Sequence, residues 1–387
     1  MRASILTAIK SWIPLSIRRR IGDWFYPIVH SVQQGQHWLR ILVGGYPAPK
    51  QISISYGYPV IPRWGEPTYG GLVKFQRMQD VFPNSPYRFN VLYLGSSTPP
   101  PDWEQQLWLA KQKRAKIIIN QNGVGYPGWH GPGWEKINEP MAKMLQAADY
   151  VFYQSQFCKL CADKFLGQPK GSWEILHNAV DTQFFIPASS NPDPHHLVLL
   201  LGGKQYQFYR VETAIRTVAA LARDRNDVRL IVAGRLSWIP DEQKAADIVQ
   251  QLVVELGLTD KVTFCGPYKQ ENAPAVLQQA HLLLHTKYND PCPGLVVEAM
   301  ACGLPIVYSQ SGGVSELVGD AAGIGIPAPL SWEEDCPADP NALAEAVLKV
   351  AERLPAYAEA ARKRAMEKLD LAPWIERHRE VFKQLLG

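Results

Sequence analysis

Twice along this chain, short apolar runs alternate with helical patterns, and the alternation is interrupted once. From about residue 51, QISISYGY, RFNVLYLG, KIIINQNG, DYVFYQS and WEILHNAV read as strand ends running into loops. WEQQLWLAKQKR and WEKINEPMAKMLQAA read as helices between them. Such alternation predicts a mostly parallel sheet covered by helices on both faces. A polar break, IPASSNPDPHH at 186–196, reads as a linker. The pattern restarts with LVLLLGG, VRLIVAGR, KVTFCGPY, HLLLHTK and LPIVYSQ, separated by helical stretches such as RVETAIRTVAALARD and DEQKAADIVQQLVVELG. A length of 387 residues also exceeds one ordinary core. The expectation is two α/β halves joined near residue 190, with ligands outside the carboxyl ends of the strands, in a cleft between the halves.

Apolar residues at 46% and charged residues at 20% are ordinary for a globular protein. The net charge of +4 is spread over both signs, without the concentrated basic face of a nucleic-acid binder. Of the six cysteines, only Cys158 and Cys161 lie close together, in the helix-like stretch QSQFCKLCADKFLG. With no second ligand pair they read as two thiols one turn apart rather than a redox or zinc motif, so no metal site is expected. No cleavable signal peptide is evident, which points to reduced thiols and a cytoplasmic location. No run approaches the roughly 18 apolar residues a spanning helix needs. The first forty residues carry Arg2, Lys10, Arg18, Arg19, Arg20 and Arg40 against the single acid Asp23, with Ile, Trp and Phe at helical spacing. Two readings of this segment stand: helices lying in a membrane interface, or solvated helices packed on the core.

Three stretches carry chemistry. In GEPTYGGLVKFQ (65–76), Gly70 and Gly71 follow an aromatic loop and open a helix. The pair is either a tight turn or a place where backbone amides approach an anion. In LLLGGKQYQFYRVETAIR (199–216), a buried strand ends at Gly202-Gly203, with Lys204 next and Arg210 at the start of a helix. These cations either grip a diphosphate or are solvated charges. In HLLLHTKYNDPCPGLVVEAMACG (281–303), a strand, a loop and a helix succeed one another, and Gly303 ends the helix. The amides of Gly294, Leu295 and Val296 open that helix and suit a phosphate. Glu298 is either a helix-dipole partner or an acceptor for a diol such as ribose. Asp290, in the loop, is placed to meet sugar hydroxyls.

VTFCGPYKQENAPAVLQQAHLLLHTKYNDPCPGLVVEAMACGLPIVYSQSGGVSELVGDAAGIGIP (262–327) resembles the donor-binding half of retaining glycosyltransferases of family four, the group 1 enzymes. The shared pattern is two acids separated by seven residues (Asp290 and Glu298), then Ala299-Met300-Ala301-Cys302-Gly303, then Gly312-Gly313-Val314-Ser315-Glu316. ILHNAVDTQFF (175–185) and YGGLVKF resemble further family segments. The resemblance spans roughly residues 50–330. It implies the GT-B fold, an α/β architecture of two facing Rossmann-like domains with a cleft between them. It also implies a metal-independent, retaining hexosyl transfer from a nucleotide sugar of UDP or GDP type, used as substrate with no resident cofactor. Carried over by position, Glu298 accepts the ribose hydroxyls, Asp290 sits against the transferred sugar and Lys204 holds the diphosphate. Gly266 and Tyr268 border the base. Asp290 stands where the family more often has Glu, and Cys292-Pro293 replaces an aromatic-Gly pair. Tyr209 aligns with the family's Lys, leaving Arg210 to serve from one place along. The His expected after the third strand is absent, with Gln121-Asn122 in its place. His130 either reaches the site from further along or is a plain loop residue.

The expected organisation is a basic amphipathic segment (1–40), an acceptor-side domain (41–188) and a donor-binding domain (189–368). A helix over 369–387 is free to pack on either half, the N-terminal domain included. The acceptor, a glycan or lipid-linked precursor of a polysaccharide or glycoconjugate, is expected at the Trp- and Tyr-rich loops holding Tyr69, Asn122, Trp129 and His130. The first forty residues offer a peripheral membrane contact. The alternative is a catalytically weakened nucleotide- or carbohydrate-binding protein on the same fold. A nicotinamide dehydrogenase is excluded, because YGYPVIPRWGEPTYGG contains no GxGxxG.

Overall fold

The computed structural model describes residues 35–387 apart from 49, 67, 69 and 191, so Tyr69 and residues 1–34 of the basic segment lie outside the described residues. The chain forms two wholly parallel sheets. The first has five strands in sequential order: β1 (Ile54–Ser55), β2 (Val91–Gly95), β3 (Lys116–Gln121), β4 (Tyr150–Tyr153) and β5 (Ser172–Ile175). β1 is shorter than QISISYGY suggests, because Asn84 Oδ1 accepts the Tyr56 amide and turns the chain away from β2.

The second sheet has six strands: β6 (Leu197–Leu201), β7 (Val228–Ala233), β8 (Val262–Gly266), β9 (Leu282–His285), β10 (Ile306–Gln310) and β11 (Gly323–Pro327). Their spatial order is β11-β10-β9-β6-β7-β8. The chain runs from mid-sheet β6 out to β8, then crosses over to β9 on the other side. This is the doubly wound order whose ligand crevice opens at the carboxyl ends of the two strands flanking the reversal, here β6 and β9. The edge strand β11, GIGIP, is not evident in the sequence pattern. Two glycines and a proline are poor strand formers, tolerated because β11 pairs only with β10.

Apolar residues cover both faces of each sheet. In the N-terminal half, Leu92, Leu94, Ile117 and Ile119 pack on one side and Val91, Tyr93, Ile118 and Phe152 on the other, the period-2 alternation of extended chain. Five helices position the site: α1 (Leu72–Met78), α2 (Gln156–Phe165), α3 (Phe208–Leu221), α4 (Gly294–Ala301) and α5 (Val314–Val318). Cys158 and Cys161 are buried, free and one turn apart on α2.

The chain ends by crossing back. α6 (Leu371–Leu386) buries Trp374, Ile375, Val381 and Phe382 in the core of the N-terminal sheet. His378 Nε2 lies 2.8 Å from the Tyr93 hydroxyl. Residues 35–43 are helical, with Ile41 buried in the same half and Leu39, Leu42 and Val43 exposed. Among the described residues no helix is long and apolar enough to cross a membrane.

Candidate active site

A cavity of about 460 Å³ lies between the two sheets, within the usual size of a small-molecule site. Gly70, Gly71, Lys74, Arg77, Asn122 and Gln154 line it from the N-terminal half, and Lys287, Asp290, Gly294 and Glu298 from the C-terminal half. The segment joining the halves adds Asn178 and Asp181. Two of the three chemistry-bearing stretches, 65–76 and 281–303, therefore meet in one place, whereas no residue of 199–216 lines this cavity.

The β9–α4 loop is held by glycines. Gly312 and Gly313 precede α5, and a Cβ at either would lie 2.4 Å from the Asp290 carbonyl or 2.1 Å from the Pro291 carbonyl. Only residues lacking a Cβ allow that approach, and Gly313 N–H donates to the Asp290 carbonyl at 2.9 Å. The Gly-Gly-x-x-Glu stretch is thus a buttress for the loop carrying Asp290.

Asp290 is almost fully buried, with Lys287 Nζ 3.0 Å from Oδ1 and His285 Nε2 3.2 Å from Oδ2. Burial pushes its carboxyl up, but Lys287 and His285 outweigh burial and hold it well below the usual carboxylate range. Burial lowers the His285 value, against the pull of Asp290. Lys287 also lies 4.9 Å from the ring centroid of Trp129, tying the aromatic N-terminal loop to Asp290.

Glu298 faces the cavity from α4, and its carboxylate makes no hydrogen bond or ion pair among the described residues. Burial raises its carboxyl from 4.5 to about 7, partly opposed by Arg77. Burial likewise raises the neighbouring Tyr268 phenol, with Glu298 adding to the rise. Arg77 reaches across from α1 with its guanidinium 3.1 Å over the Trp64 ring, 3.7 Å from Asp181. A half-buried carboxylate without partners is suited to accept two hydroxyl donors, as a vicinal diol supplies.

The remaining expected residues spread around this centre. Lys204 is exposed at the end of the β6 loop, over the Tyr206 ring at 4.6 Å. Arg210 is turned inward: it is 5% exposed and donates from Nη1 to the Lys204 carbonyl at 2.9 Å. Its position in the first turn of α3 points it under the loop, so it shapes the Gly203-Lys204 turn rather than lining the cavity. Leu295 packs against Gly202, where a Cβ would lie 2.9 Å from it, and Val296 is fully buried. Gly266 lines a separate cavity at the ends of β7 and β8. Asn122 lines the main cavity, accepting from Gln154 at 2.6 Å, whereas Trp129 packs into the N-terminal core. His130 is exposed at the end of a short helical turn, outside the cavity lining. Among the described residues no group of His, Cys, Asp or Glu is placed to hold a metal ion.

Lys74, Arg77, Lys287, Asn178 and Asp181 were not singled out in the sequence. Lys74 and Arg77 lie three apart on the helix opened by Gly70-Gly71, hence on one face. Lys287 lies three residues before Asp290. Asn178 and Asp181 carry no local signal beyond their place in HNAVD.

Two Rossmann-like parallel sheets facing each other across such a cleft define the GT-B architecture. HepE (Alr3699) from Anabaena, solved in complex with UDP, shares this fold at a TM-score of 0.62 and 18% identity, over 76% of this chain and 79% of that one. A glycosyltransferase from Rickettsia africae shares it at 0.62 and 16% identity, over 91% of this chain and 94% of that one. Residues 183–365 match the family described as Glycosyl transferases group 1. Curated relatives include the D-inositol 3-phosphate glycosyltransferases of Mycobacterium sp. (strain KMS), 30% identical over 154 residues, and of Mycobacterium leprae (strain Br4923), 32% identical over 150. Each match covers 38% of this chain, and the chain spans about a third of those relatives' length, 34% and 35%.

Proposed function

We propose that the protein is a glycosyltransferase that moves a hexosyl unit from a nucleotide sugar to a glycan or lipid-linked acceptor, with retention of anomeric configuration. The observation that carries this reading is Glu298: a partner-free carboxylate, on a helix beginning at the doubly wound switch point, facing a cleft of substrate size. In this reading Glu298 accepts the ribose hydroxyls and the amides at the start of α4 face the diphosphate. Lys204, on a loop shaped by Arg210, adds positive charge to meet the negative charge that develops on the leaving diphosphate. Asp290, kept ionised by Lys287, meets hydroxyls of the transferred sugar. The acceptor hydroxyl attacks from the face the nucleotide leaves, so no protein nucleophile is assigned. Support for a UDP-type donor comes from HepE, described in complexes with UDP and UDP-glucose. A role in polysaccharide or glycoconjugate biosynthesis at the cytoplasmic face of a membrane, touched through residues 1–40, completes the proposal.

A thermal-shift panel of UDP, GDP, ADP and CMP identifies the base, since a ligand bound to the folded state raises apparent stability by mass action. Assay of the corresponding nucleotide sugars for hydrolysis or transfer then tests the activity. Glu298→Ala is expected to lose most turnover while keeping its fold. Wild-type-like turnover by this variant overturns the assignment, and nucleotide binding without turnover on any donor favours the weakened binding protein. Liposome flotation of the full chain against one lacking residues 1–40 tests the membrane contact, and equal flotation removes it.

A further inference from the structure

Three cations line the main cavity, and they differ in what neutralises them. Arg77 stands beside Asp181 and stacks on Trp64. Lys287 is paired with Asp290. Lys74 forms no ion pair with a carboxylate among the described residues, although its ammonium lies deep in the cleft. Its hydrogen-bond partners are the amide oxygens of Asn120 and of Asn178, the latter at 3.2 Å. Those amides are themselves engaged by neutral groups. Gln154 Nε2 donates to Asn120 at 2.7 Å, Asn120 Nδ2 donates to the Tyr93 hydroxyl at 3.2 Å, and Asn178 Nδ2 donates to the Cys292 carbonyl at 2.8 Å. The network orients Lys74 without cancelling its charge, and two partners leave one of its three N–H donors available. Burial lowers the ammonium to about 8, with Cys292 and Cys158 acting in the opposite direction.

A buried charge held by neutral dipoles alone is costly unless a counter-charge arrives. We propose that Lys74 is a specificity residue for the acceptor: it binds an anionic substituent, a carboxylate or a phosphate, carried on the sugar or polyol that receives the transferred unit. This rests on the glycosyltransferase reading above. The anion is assigned to the acceptor because Lys74, its partner Asn120 and the Gln154 that orients Asn120 all belong to the N-terminal half, while its second partner, Asn178, lies in the segment joining the halves. The groups facing a donor diphosphate, Lys204 and the start of α4, belong to the other half.

The test measures ligand-induced thermal shifts and binding isotherms in saturating UDP, with glucose, glucose 6-phosphate, glucuronate and inorganic phosphate as probes. The wild type is expected to bind at least one of the two charged sugars about tenfold or more tightly than glucose, the gain of one charge-assisted hydrogen bond. Lys74→Met is expected to abolish that preference while its affinity for UDP stays within about twofold. Preference for glucose 6-phosphate assigns phosphate and preference for glucuronate assigns carboxylate. Inorganic phosphate binding as tightly as the charged sugars overturns the proposal, because the site then reads a free ion. Equal binding of glucose and both charged sugars by the wild type also overturns it, and needs no variant to fold. A Lys74-dependent preference for UDP-glucuronate over UDP-glucose, without one among the acceptor probes, moves the anion to the donor and overturns the acceptor assignment. If no nucleotide binds at all, the glycosyltransferase reading fails instead, which the UDP arm shows directly.

Discussion

Lys287 donates to Asp290 at 3.0 Å while the same ammonium sits 4.9 Å from the Trp129 ring of the opposite half. The acid that the sequence places at the sugar end of the cleft is therefore not a free carboxylate. Its ionisation depends on a cation three residues away.

Replacing Lys287 by Met is expected to leave Asp290 buried without its principal counter-charge. Removing one partner of a buried pair typically costs about 3–5 kcal/mol. The sign with pH follows from the depressed folded value of Asp290. The wild type holds this contribution above the unfolded carboxylate value, near 4, and loses it as pH falls lower. The gap in melting temperature between wild type and Lys287→Met is therefore expected to hold from pH 7 down to about pH 4 and to narrow as pH falls below it. A gap independent of pH would show that Lys287 stabilises by packing alone.

Glu298 makes the opposite forecast. Its rise from 4.5 to about 7 corresponds to about 3 kcal/mol against the charged form, an upper bound because the carboxylate opens onto the cleft. The cost is absent below the unfolded value and is complete above pH 7. Glu298→Gln is expected to melt with the wild type at pH 4.5 and above it at pH 8, while its affinity for UDP falls about tenfold or more. Melting curves at the two pH values and a UDP titration check both halves. A variant less stable than the wild type at pH 8 would show that the native carboxylate is already satisfied.

Much of this site was legible in the sequence, for a physical reason. The C-terminal side of the cleft is built from contiguous stretches in which a strand end, its loop and the next helix start are consecutive residues, so spacing records geometry. Asp290, Gly294 and Glu298 fall together on that account. Lys74, Asn178 and Arg77 reach the cavity only because the two halves face each other, and nothing local encodes a contact between residues 74 and 178. Arg210 shows the converse: its charge and its place beside a Gly-rich turn were readable, but its inward direction was not. The direction is set by the Lys204 carbonyl beneath the loop.

Glu316 ties the two halves together. Its Oε2 accepts the Gln156 amide at 2.7 Å and its Oε1 the Phe157 amide at 3.1 Å, so an acid of the C-terminal half caps α2 of the N-terminal half. Burial raises its carboxyl, but His177 and the two amides outweigh this and lower it. The cap is therefore present above the unfolded carboxylate value and weakens as pH falls through the lower folded one. Glu316→Ala is expected to increase the radius of gyration in small-angle scattering at pH 7.5 and to speed proteolysis in the 186–196 linker, with circular dichroism unchanged. Superimposable scattering curves would mean that Ser155, whose hydroxyl donates to the Pro291 carbonyl at 2.6 Å, and Asn178 hold the halves together without it.

His378 gives α6 an acid-labile anchor. It is fully buried between Phe152, Trp374 and Tyr93, with Nδ1 2.8 Å from the Trp374 carbonyl and Nε2 2.8 Å from the Tyr93 hydroxyl. Burial lowers its value from 6.5 to about 3. A base whose folded value lies below its unfolded one contributes full stability above the unfolded value, and stability falls as pH drops beneath it. Between pH 6.5 and 5 this one group is expected to remove about 2 kcal/mol. Because α6 docks on the N-terminal sheet through one apolar face, its undocking is expected to precede global unfolding. Hydrogen exchange at pH 5 should show residues 371–386 losing protection before β6–β9, whereas His378→Gln should flatten the pH dependence of that protection. Uniform loss of protection across both halves would place the acid sensitivity elsewhere.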